Sequence, residues 1–256
     1  MIKHALVCPP VEDLSGCVVS EDRGAADYET ALAQHASYCR ALEARGVKVI
    51  ALHADPSLPD ATFIDDTAVL AERCAVLSRP GDESRREEIV NVRQALKRYF
   101  ADVVAIEAPG TLDGGDVVHA GEHFYVGLTS RTNESGAGQI QAILAHAGYA
   151  VSLVDIRGLP GALHLKSVVA YIGDNRLVTV EELAPHPAFG SLEKIVVAPE
   201  EAYAANCLRV NDRVLVASGF PRLVASLQAH GYQVECLDLS EFAKLEGGVS
   251  CLSLCF

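Results

Sequence analysis

Short stretches of alternating apolar and polar residues, separated by turn-forming residues, run along most of this chain. Lys3–Val7 is predicted to be a first strand, and Asp27 is placed to cap a helix that runs to about Arg45. Val47–Leu52 is the predicted strand that follows. Between the first strand and the helix, Val11–Ala26 is polar and has no clear period. We expect this segment to be a loop that could cover a site.

One pattern then repeats: a polar residue is followed eight positions later by an apolar strand. The polar residues that start the four repeats are Asp66, Asp116, Ser167 and Asn206. In each repeat two strands flank a polar turn, which predicts a β-hairpin. A helical segment and another strand follow at least two of the hairpins, over 139–154 and 222–237. The starting residues are 50, 51 and 39 positions apart, and periods of this size predict supersecondary units repeated around an axis or in a line.

Counting the incomplete units at the two ends of the chain gives about five units. The stretch Val249–Phe256 is predicted to be a strand that pairs beside Lys3–Val7, which would close the units into a ring and remove open sheet edges. No linker or low-complexity stretch interrupts the chain. The sequence therefore predicts one α/β domain over residues 1–256, a propeller of ββαβ-type repeats around a central cavity.

Composition narrows the partners that such a domain could have. The chain has 256 residues, of which 50% are hydrophobic, so a large core is expected. Its net charge of −13 disfavours nucleic acid and anionic membrane as partners and suits a cationic small substrate. The eight cysteines show no paired CxxC spacing, and no signal peptide or membrane-length apolar run is apparent. We expect reduced thiols in a cytoplasmic protein.

In a closed ring the hairpin starts face the axis, and most of the chemically active side chains fall there. The C-terminal stretch adds Cys251 shortly after Gly247-Gly248, where two glycines permit a tight turn that feeds a strand. A thiol held in such a place could act as a nucleophile once its pKa is lowered. The residues predicted to converge on the central cavity are Asp60, Asp65, Asp66, Asp113, Asp116, His164, Asn206 and Cys251.

Each of these residues also has a purely structural interpretation. Aspartates are common turn formers and caps, a histidine can be a hydrogen-bonded core residue, and most free cysteines are small buried apolar residues. Cys251 and His164 could contribute to a zinc site, but a structural zinc site takes four nitrogen or sulfur ligands and no second Cys–His pair has the spacing. Structural roles do not explain a thiol, an imidazole and several acids at matching repeat positions, so we predict a site.

The residue types indicate which chemistry that site could perform. A pocket ringed by carboxylates favours a planar cation, and guanidinium matches carboxylate in a bidentate manner. A thiolate can attack the electron-poor central carbon of a guanidinium that those acids hold. A nearby histidine can protonate the departing amine and then activate water to hydrolyse the covalent adduct.

Seven short motifs are spread from one end of the chain to the other with little insertion. They are Asp60…Asp65-Asp66, Arg79-Pro80-Gly81…Ser84-Arg85-Arg86, Leu112-Asp113-Gly114-Gly115-Asp116, Arg131-Thr132-Asn133, Leu163-His164-Leu165-Lys166-Ser167, Ala205-Asn206-Cys207 and Gly247-Gly248-Val249-Ser250-Cys251. In these motifs the chain resembles the dimethylarginine dimethylaminohydrolases, which belong to the guanidino-group-modifying enzymes. The resemblance implies the five-fold α/β-propeller called the pentein fold. It also implies hydrolysis of methylated arginines to citrulline and dimethylamine or methylamine, with no cofactor and no metal.

The resemblance also implies roles for the residues that match the catalytic motifs. Cys251 would be the nucleophile and His164 the general acid and then the general base. Asp113 would be the catalytic carboxylate that orients the guanidinium and the histidine. Asp66, with Asp65 beside it, would hold the guanidinium nitrogens. Many relatives carry Glu where this chain has Asp65, and the shorter side chain could either shift the preference among guanidino or ureido compounds or be a neutral exchange.

The remaining matched positions would bind the amino-acid end of the substrate. Arg85 and Arg131 would clamp the substrate α-carboxylate, a task that suits the planar guanidinium of arginine. Without the resemblance, Arg85 would be interpreted as a solvated charge at a helix start. Asp60, with backbone carbonyls near Val18 and Leu245, would bind the α-amine. Val18 lies in the loop already predicted to cover a site.

Three alternative functions stay open at this level. The nearest is a deiminase or ureido hydrolase of the same superfamily that acts on arginine, citrulline or another guanidino or ureido amino acid. A non-catalytic propeller that binds the ribosome is another, although the charge of −13 speaks against it. The third is a zinc-binding or thiol-sensing protein. Small propellers of this kind often pair, so a homodimer is also open, although no residue pattern marks an interface.

Overall fold

The computed structural model, which describes residues 1–256, contains five separate three-stranded sheets, and each of the four repeated hairpins of the sequence lies in one of them. The strands are β1 (His4–Val7), β2 (Lys48–Ala51), β3 (Ala68–Ala71), β4 (Cys74–Leu77), β5 (Val103–Ala105), β6 (Val117–Ala120), β7 (His123–Leu128), β8 (Ala150–Asp155), β9 (Val169–Tyr171), β10 (Arg176–Thr179), β11 (Glu193–Val196), β12 (Leu208–Val210), β13 (Arg213–Ala217), β14 (Gln233–Leu237) and β15 (Leu254–Cys255).

Every sheet is built in the same way. Its middle strand pairs antiparallel with one neighbour and parallel with the other, which follows a crossover connection. In four of the sheets the antiparallel neighbour is the other strand of the hairpin. The four consecutive sheets are β3-β4-β5, β6-β7-β8, β9-β10-β11 and β12-β13-β14. This confirms the five-fold α/β-propeller with ββαβ-type units.

The two ends of the chain meet in the fifth sheet, which has the order β15-β1-β2. Ala5 lies opposite Cys255 and Leu6 opposite Leu254 in the antiparallel pair. Leu6 is fully buried and Leu254 is nearly so, so the closing strands are held by core packing as well as by the backbone ladder. The closure predicted from the sequence is therefore confirmed.

Helices cover four of the five crossovers. They are α1 (Tyr28–Glu43), α2 (Ile89–Leu96), α3 (Glu134–His146) and α4 (Pro221–Ala229). A fifth, short helix, α5 (Ser240–Lys244), lies between β14 and the C-terminal stretch. In the unit of β9 to β11 the crossover holds only a turn of 3-10 helix, Pro187–Phe189. The missing helix explains why the step from Ser167 to Asn206 is shorter than the other two steps. None of these helices combines the length and the apolar character that crossing a membrane requires.

Local signals account for where the helices begin. Asp27 caps α1 by accepting from the backbone N–H of Thr30, as predicted, and Asn133 caps α3 by accepting from the N–H of Gly136. The cap at Asn133 starts α3 five residues before the predicted helical segment. Helices α2 and α5 were not predicted, because α2 is only eight residues long and α5 only five.

The predicted C-terminal strand Val249–Phe256 is wrong over its first part. Only Leu254–Cys255 is a strand, and Val249–Leu252 forms one turn of 3-10 helix. The turn is closed by the Cys251 N–H, which donates to the carbonyl of Gly248 at 3.1 Å. Cys251 therefore lies in a helical turn just before the strand.

Candidate active site

A narrow cavity lies on the propeller axis among the hairpin starts. Its free volume is about 20 Å³, enough for about one water molecule. Eight of the ten residues predicted to form the site line it. The complete lining is Val18, Asp60, Phe63, Asp66, Arg85, Arg131, Leu163, His164, Leu245, Glu246, Gly247 and Cys251.

Cys251 enters this cavity from the helical turn of the C-terminal stretch. Its Sγ accepts from the backbone N–H of Gly248 at 3.3 Å and from Nδ2 of Asn206 at 3.6 Å. Burial raises the pKa of the Cys251 thiol to about 12, and the negative charge of Asp66 acts in the same direction. The thiol is therefore protonated at neutral pH when the cavity holds no cation.

The two glycines before Cys251 are needed for space and not for a left-handed backbone. Neither has a positive φ, and the left-handed residue of this segment is Glu246, at +61°. A Cβ on Gly247 would lie 2.1 Å from the ring of Phe63, and one on Gly248 would lie 2.4 Å from the side chain of Asn206. The sequence predicted that the two glycines permit a tight turn, whereas in the structure each is required because a neighbouring side chain lies too close for a Cβ.

His164 lies between two carboxylates. Its Nε2 is 2.9 Å from Oδ2 of Asp113, and its Nδ1 is 3.7 Å from Oδ1 of Asp66. Burial alone would lower the pKa of His164, but the charges of Asp66 and Asp116 and the hydrogen bond with Asp113 raise it to about 9. At neutral pH the ring is an imidazolium, which can donate a proton. A side chain on Gly115 would collide with this ring at 2.9 Å.

Asp113 lies behind His164 and does not line the cavity. Its Oδ1 accepts from the backbone N–H of Gly81 at 2.8 Å, and its own N–H donates to the hydroxyl of Thr132 at 3.2 Å. Asp113 is buried, with 1% of its surface exposed. The carboxylate is therefore fixed at both ends, and its contact with His164 sets the position of the ring.

Asp66 is a buried carboxylate that lines the cavity together with Cys251 and His164. Its Oδ1 accepts from the N–H of Gly115 at 3.0 Å, and its Oδ2 accepts from Nη1 of Arg85 at 2.6 Å. Burial favours the neutral acid, but the charges of His164 and Arg85 hold the pKa of Asp66 down at about 2. Asp66 is thus an anion at all physiological pH values.

The structure places Asp65 outside this cavity, although the resemblance implies that Asp65 lies beside Asp66 at the guanidinium. Its two carboxylate oxygens lie 2.8 and 2.7 Å from Nζ of Lys166. The pair lines a different cavity of about 420 Å³, which is mostly apolar and bounded by inner strands of the propeller. Asp65 and Asp66 are consecutive in the 3-10 helix Ile64–Thr67, where successive side chains point about 120° apart.

Arg85 is a buried residue and not a solvated charge at a helix start. Its Nε and Nη2 donate to the two carboxylate oxygens of Glu88 at 3.0 and 2.9 Å, and Nη1 donates to Asp66. Nη2 also reaches the carbonyls of Asp60 and Phe63 at 3.2 Å. Of its five N–H groups, only one on Nη1 is left for a substrate.

Arg131 is more open to a ligand than Arg85. It lines the cavity, and its ion pair is with Asp82, at 3.2 Å. The side chain of Arg131 is 16% exposed and that of Asp82 is 31% exposed. A pair of this kind is weak in water, so a substrate carboxylate could take the place of Asp82.

The loop predicted to cover a site does cover the cavity. The N–H of Val18 donates to Oδ2 of Asp60 at 3.0 Å, and the N–H of Ser20 donates to Glu246 at 2.7 Å. Leu245 lines the cavity beside Glu246. In this closed form the cavity has room for about one water and not for a molecule as large as an amino acid.

Five residues around the site were not assigned a role from the sequence. Asn206 and Asp116 were recognised only as repeat positions. In the structure the carboxylate of Asp116 accepts three hydrogen bonds, and the side-chain amide of Asn206 makes two, all to segments that form the site. Glu88 follows Arg85 by three residues, a spacing that could have suggested a helical pair. No sequence signal marks the partners of Lys166 and Glu246, because Asp65 and Ser20 are far from them in sequence.

Three potential metal ligands lie together in the site. One ligand atom each of Asp66, Asp113 and His164 falls within 4.8 Å of the others. A structural zinc site takes four ligands, mainly nitrogen and sulfur, whereas this group supplies two carboxylates and one imidazole that they already engage. Cys251 is not part of the group.

The fold and this cavity place the chain in the pentein class of five-bladed α/β-propellers. A family model described as "N,N dimethylarginine dimethylhydrolase, eukaryotic" matches residues 19–201. A protein of Pseudomonas aeruginosa named N(G),N(G)-dimethylarginine dimethylaminohydrolase is 40% identical over 257 residues, which cover 100% of both chains. The chain belongs to the dimethylarginine dimethylaminohydrolase family.

Further relatives and solved structures agree with this assignment. The protein of the same name from Streptomyces coelicolor is 35% identical and covers 98% of this chain and 96% of its own. The structure of the Pseudomonas aeruginosa enzyme, as a cysteine-to-serine mutant complexed with citrulline, has a TM-score of 0.96 and covers 100% of both chains. The N-terminal domain of the cyanobacterial arginine dihydrolase ArgZ shares the fold, at 20% identity, with a TM-score of 0.89, covering 100% of this chain and 97% of its own.

Proposed function

We propose that this chain hydrolyses Nω-methylated arginines to citrulline and methylamine or dimethylamine, with Cys251 as the nucleophile. The observation that carries the proposal is that Cys251, His164 and Asp66 line one cavity together with Arg131 and Asp60. The cavity thereby combines a thiol, a proton donor and an anion that suits a guanidinium. It also offers Arg131 for the α-carboxylate of an amino acid and Asp60 for its α-amine.

Substrate binding and nucleophile activation are linked in this arrangement. The guanidinium would contact Asp66, while Arg131 and the free N–H of Arg85 would bind the α-carboxylate. Asp60 would exchange its contact with Val18 for one with the α-amine as the loop opens and closes. The arriving cation opposes the field of Asp66 and lowers the pKa of the Cys251 thiol, so the thiol would lose its proton to solvent as the substrate enters.

The first chemical step forms a carbon–sulfur bond. The thiolate attacks the central carbon of the guanidinium, and the electron pair of the C=N bond moves to nitrogen. The imidazolium of His164 protonates the methylated nitrogen, the C–N bond breaks and the amine leaves. The product is a thiouronium adduct on Cys251, and His164 is neutral.

The second step reverses the proton transfer. Neutral His164 takes a proton from water, and the hydroxide attacks the carbon of the thiouronium adduct. The C–S bond then breaks, the remaining hydroxyl proton passes to solvent or to the released amine, and citrulline is formed. The thiolate is restored and His164 is again protonated. Asp113 holds the ring of His164 in place during both steps and stabilises its imidazolium form.

The decisive experiment is to incubate the purified protein with asymmetric dimethylarginine and to measure citrulline. We expect product from the wild type and a loss of several orders of magnitude in kcat for Cys251→Ser. The matched control is Cys236→Ser, which changes an exposed thiol on β14 and should leave the rate unchanged. Monomethylarginine, arginine and citrulline analogues tested in parallel distinguish a methylarginine hydrolase from a deiminase or ureido hydrolase.

Two results would contradict the proposal. One is the absence of citrulline from every methylated arginine, and the other is full activity of Cys251→Ser. Metal analysis of the purified protein distinguishes the proposed hydrolase from a zinc-binding or thiol-sensing protein. A zinc-binding protein with one site would contain about one equivalent of zinc per chain.

We also propose a cytoplasmic location and leave the homodimer as a proposal to be tested by sedimentation. All eight cysteines are free in the structure, which supports a reducing compartment. The negative charge of the chain and the absence of a spanning helix give no support for a membrane or nucleic-acid partner.

A further inference from the structure

Asn206 uses both ends of its side-chain amide on the turn that carries the nucleophile. It follows the 3-10 helix Pro199–Ala205 and is buried, with 5% of its surface exposed. Its Oδ1 accepts from the backbone N–H of Ser250 at 2.9 Å, and its Nδ2 donates to Sγ of Cys251 at 3.6 Å. The contacts bring a residue from 45 positions earlier in the chain to the reacting sulfur.

The orientation of this amide is fixed by the turn itself. A backbone N–H can only donate, so the amide atom that faces Ser250 must be the oxygen. The NH₂ group must then face the sulfur, because the two amide atoms lie on opposite sides of Cγ. Gly248 allows this approach, since a Cβ there would lie within 2.4 to 2.8 Å of the three atoms of the Asn206 amide.

The sulfur otherwise lies in a field that opposes its ionisation. Burial and the charges of Asp66 and Asp65 all raise the pKa of the Cys251 thiol. The same carboxylate, Asp66, is the one that the guanidinium requires, so it cannot be removed to favour the thiolate. Only two donors reach the sulfur: the backbone N–H of Gly248 and the NH₂ of Asn206. Both stabilise the thiolate relative to the thiol.

We propose that Asn206 is a catalytic residue that hydrogen-bonds the thiolate of Cys251, while its oxygen holds the turn in register. This inference deepens the proposed hydrolase function and rests on it for the role of the thiolate. With the N–H of Gly248 it forms a two-donor cradle that is complete before substrate binds. A purely structural role for Asn206 would require only the bond to Ser250.

The two roles are separated by the pKa of the Cys251 thiol, measured without substrate. Asn206→Asp keeps the size of the side chain and the acceptor for Ser250, but it replaces the donor to sulfur with an anion. Asn206→Ala removes both contacts and adds no charge. The matched control, Asn175→Asp, makes the same change at an exposed asparagine whose Nδ2 bonds only the carbonyl of Ser191.

The readout is the rate at which iodoacetamide alkylates Cys251 between pH 6 and 10. Peptide mass spectrometry follows this one residue, and fragment spectra separate it from Cys255. Well below the thiol pKa the rate rises with the thiolate fraction, so a folded variant whose thiol has a higher pKa is alkylated more slowly than the wild type. Circular dichroism and thermal unfolding of each variant confirm that the proteins compared are folded.

The expected fall in alkylation rate follows from the free energy of the lost hydrogen bond to the thiolate, a charged group, which sets the rise in the thiol pKa. The alkylation rate should fall about tenfold in Asn206→Ala and further in Asn206→Asp, whereas Asn175→Asp should match the wild type. Rates within about twofold of the wild type in both folded Asn206 variants would overturn the proposal. Because no substrate is present, that failure is distinct from a failure to find citrulline.

Discussion

Adding one methyl group to Gly248 should disable the site without touching any residue that would meet the substrate. In Gly248→Ala the new Cβ would lie 2.4 Å from Cγ, 2.6 Å from Nδ2 and 2.8 Å from Oδ1 of Asn206. Gly248 has a φ of −127°, which alanine adopts freely. The perturbation is therefore a collision and not backbone strain.

The size of the effect follows from the distance that must be recovered. Non-bonded carbon atoms prefer about 3.5 Å or more, so the Asn206 amide or the turn of Cys251 must retreat by about 1 Å. Overpacking of a filled interior costs about 1–3 kcal/mol, which corresponds to a fall in Tm of about 2–12 °C for a domain of this size. A misplacement of about 1 Å in a catalytic group costs about 100-fold in rate.

The assay is citrulline formation from dimethylarginine combined with thermal unfolding. Gly138→Ala is the matched control, because Gly138 lies inside helix α3 and a Cβ there meets nothing within 4 Å. It should raise the unfolding free energy by about 0.5–1 kcal/mol and leave the rate unchanged. A Gly248→Ala protein with wild-type Tm and kcat would refute the reasoning, since it would show that the contact with Asn206 is not tight.

Three further changes test other parts of the site. Asp65→Glu should leave the relative kcat/KM values for dimethyl-, monomethyl- and unmethylated arginine within about twofold of those of the wild type, because Asp65 faces Lys166 outside the cavity. A clear shift in these relative values would show that Asp65 contributes to substrate selection. Arg131→Ala should raise KM more than it lowers kcat in steady-state kinetics, because a carboxylate clamp binds ground and transition states alike. The pKa of His164 rises from 6.5 to about 9 on folding. Its contribution to stability is therefore complete below pH 6.5 and is lost as pH rises through 9. Urea unfolding at pH 6 and at pH 9.5 should show that the unfolding free energy falls less between these pH values in His164→Asn than in the wild type.

The architecture could be predicted from the sequence because it depends on local, repeated signals. Alternation of apolar and polar residues around a polar turn is specific for a hairpin, and four copies at regular spacing leave little choice of fold. The shorter last step, between Ser167 and Asn206, even corresponds to the unit whose crossover holds only a 3-10 turn, Pro187–Phe189. The short helices α2 and α5 escaped, because helices of eight and five residues carry too few turns to show a period.

The C-terminal turn shows why local pattern fails near the site. The residues of Val249–Leu252 alternate as a strand would, yet they form a 3-10 turn that Asn206 holds through Ser250. That hydrogen bond joins residues 44 positions apart, so no window along the chain contains both partners. The same holds for the hydrogen bond that the Ser20 N–H of the covering loop donates to Glu246, which joins residues 226 positions apart.

The pair Asp65-Asp66 marks the limit of prediction from motifs. Both residues lie in the same matched motif, both are buried acids, and a resemblance transfers them together to the guanidinium. The 3-10 helix that contains them points one carboxylate at Arg85 and the cavity and the other at Lys166. The pKa values diverge accordingly: burial outweighs Lys166 and raises that of Asp65, whereas the cations around Asp66 lower its pKa to about 2 despite burial. The direction of each side chain is set by helix geometry and by distant partners. We therefore predict that the exchange of Glu for Asp at position 65 affects the pairing with Lys166 and not the room available to a methylated guanidinium.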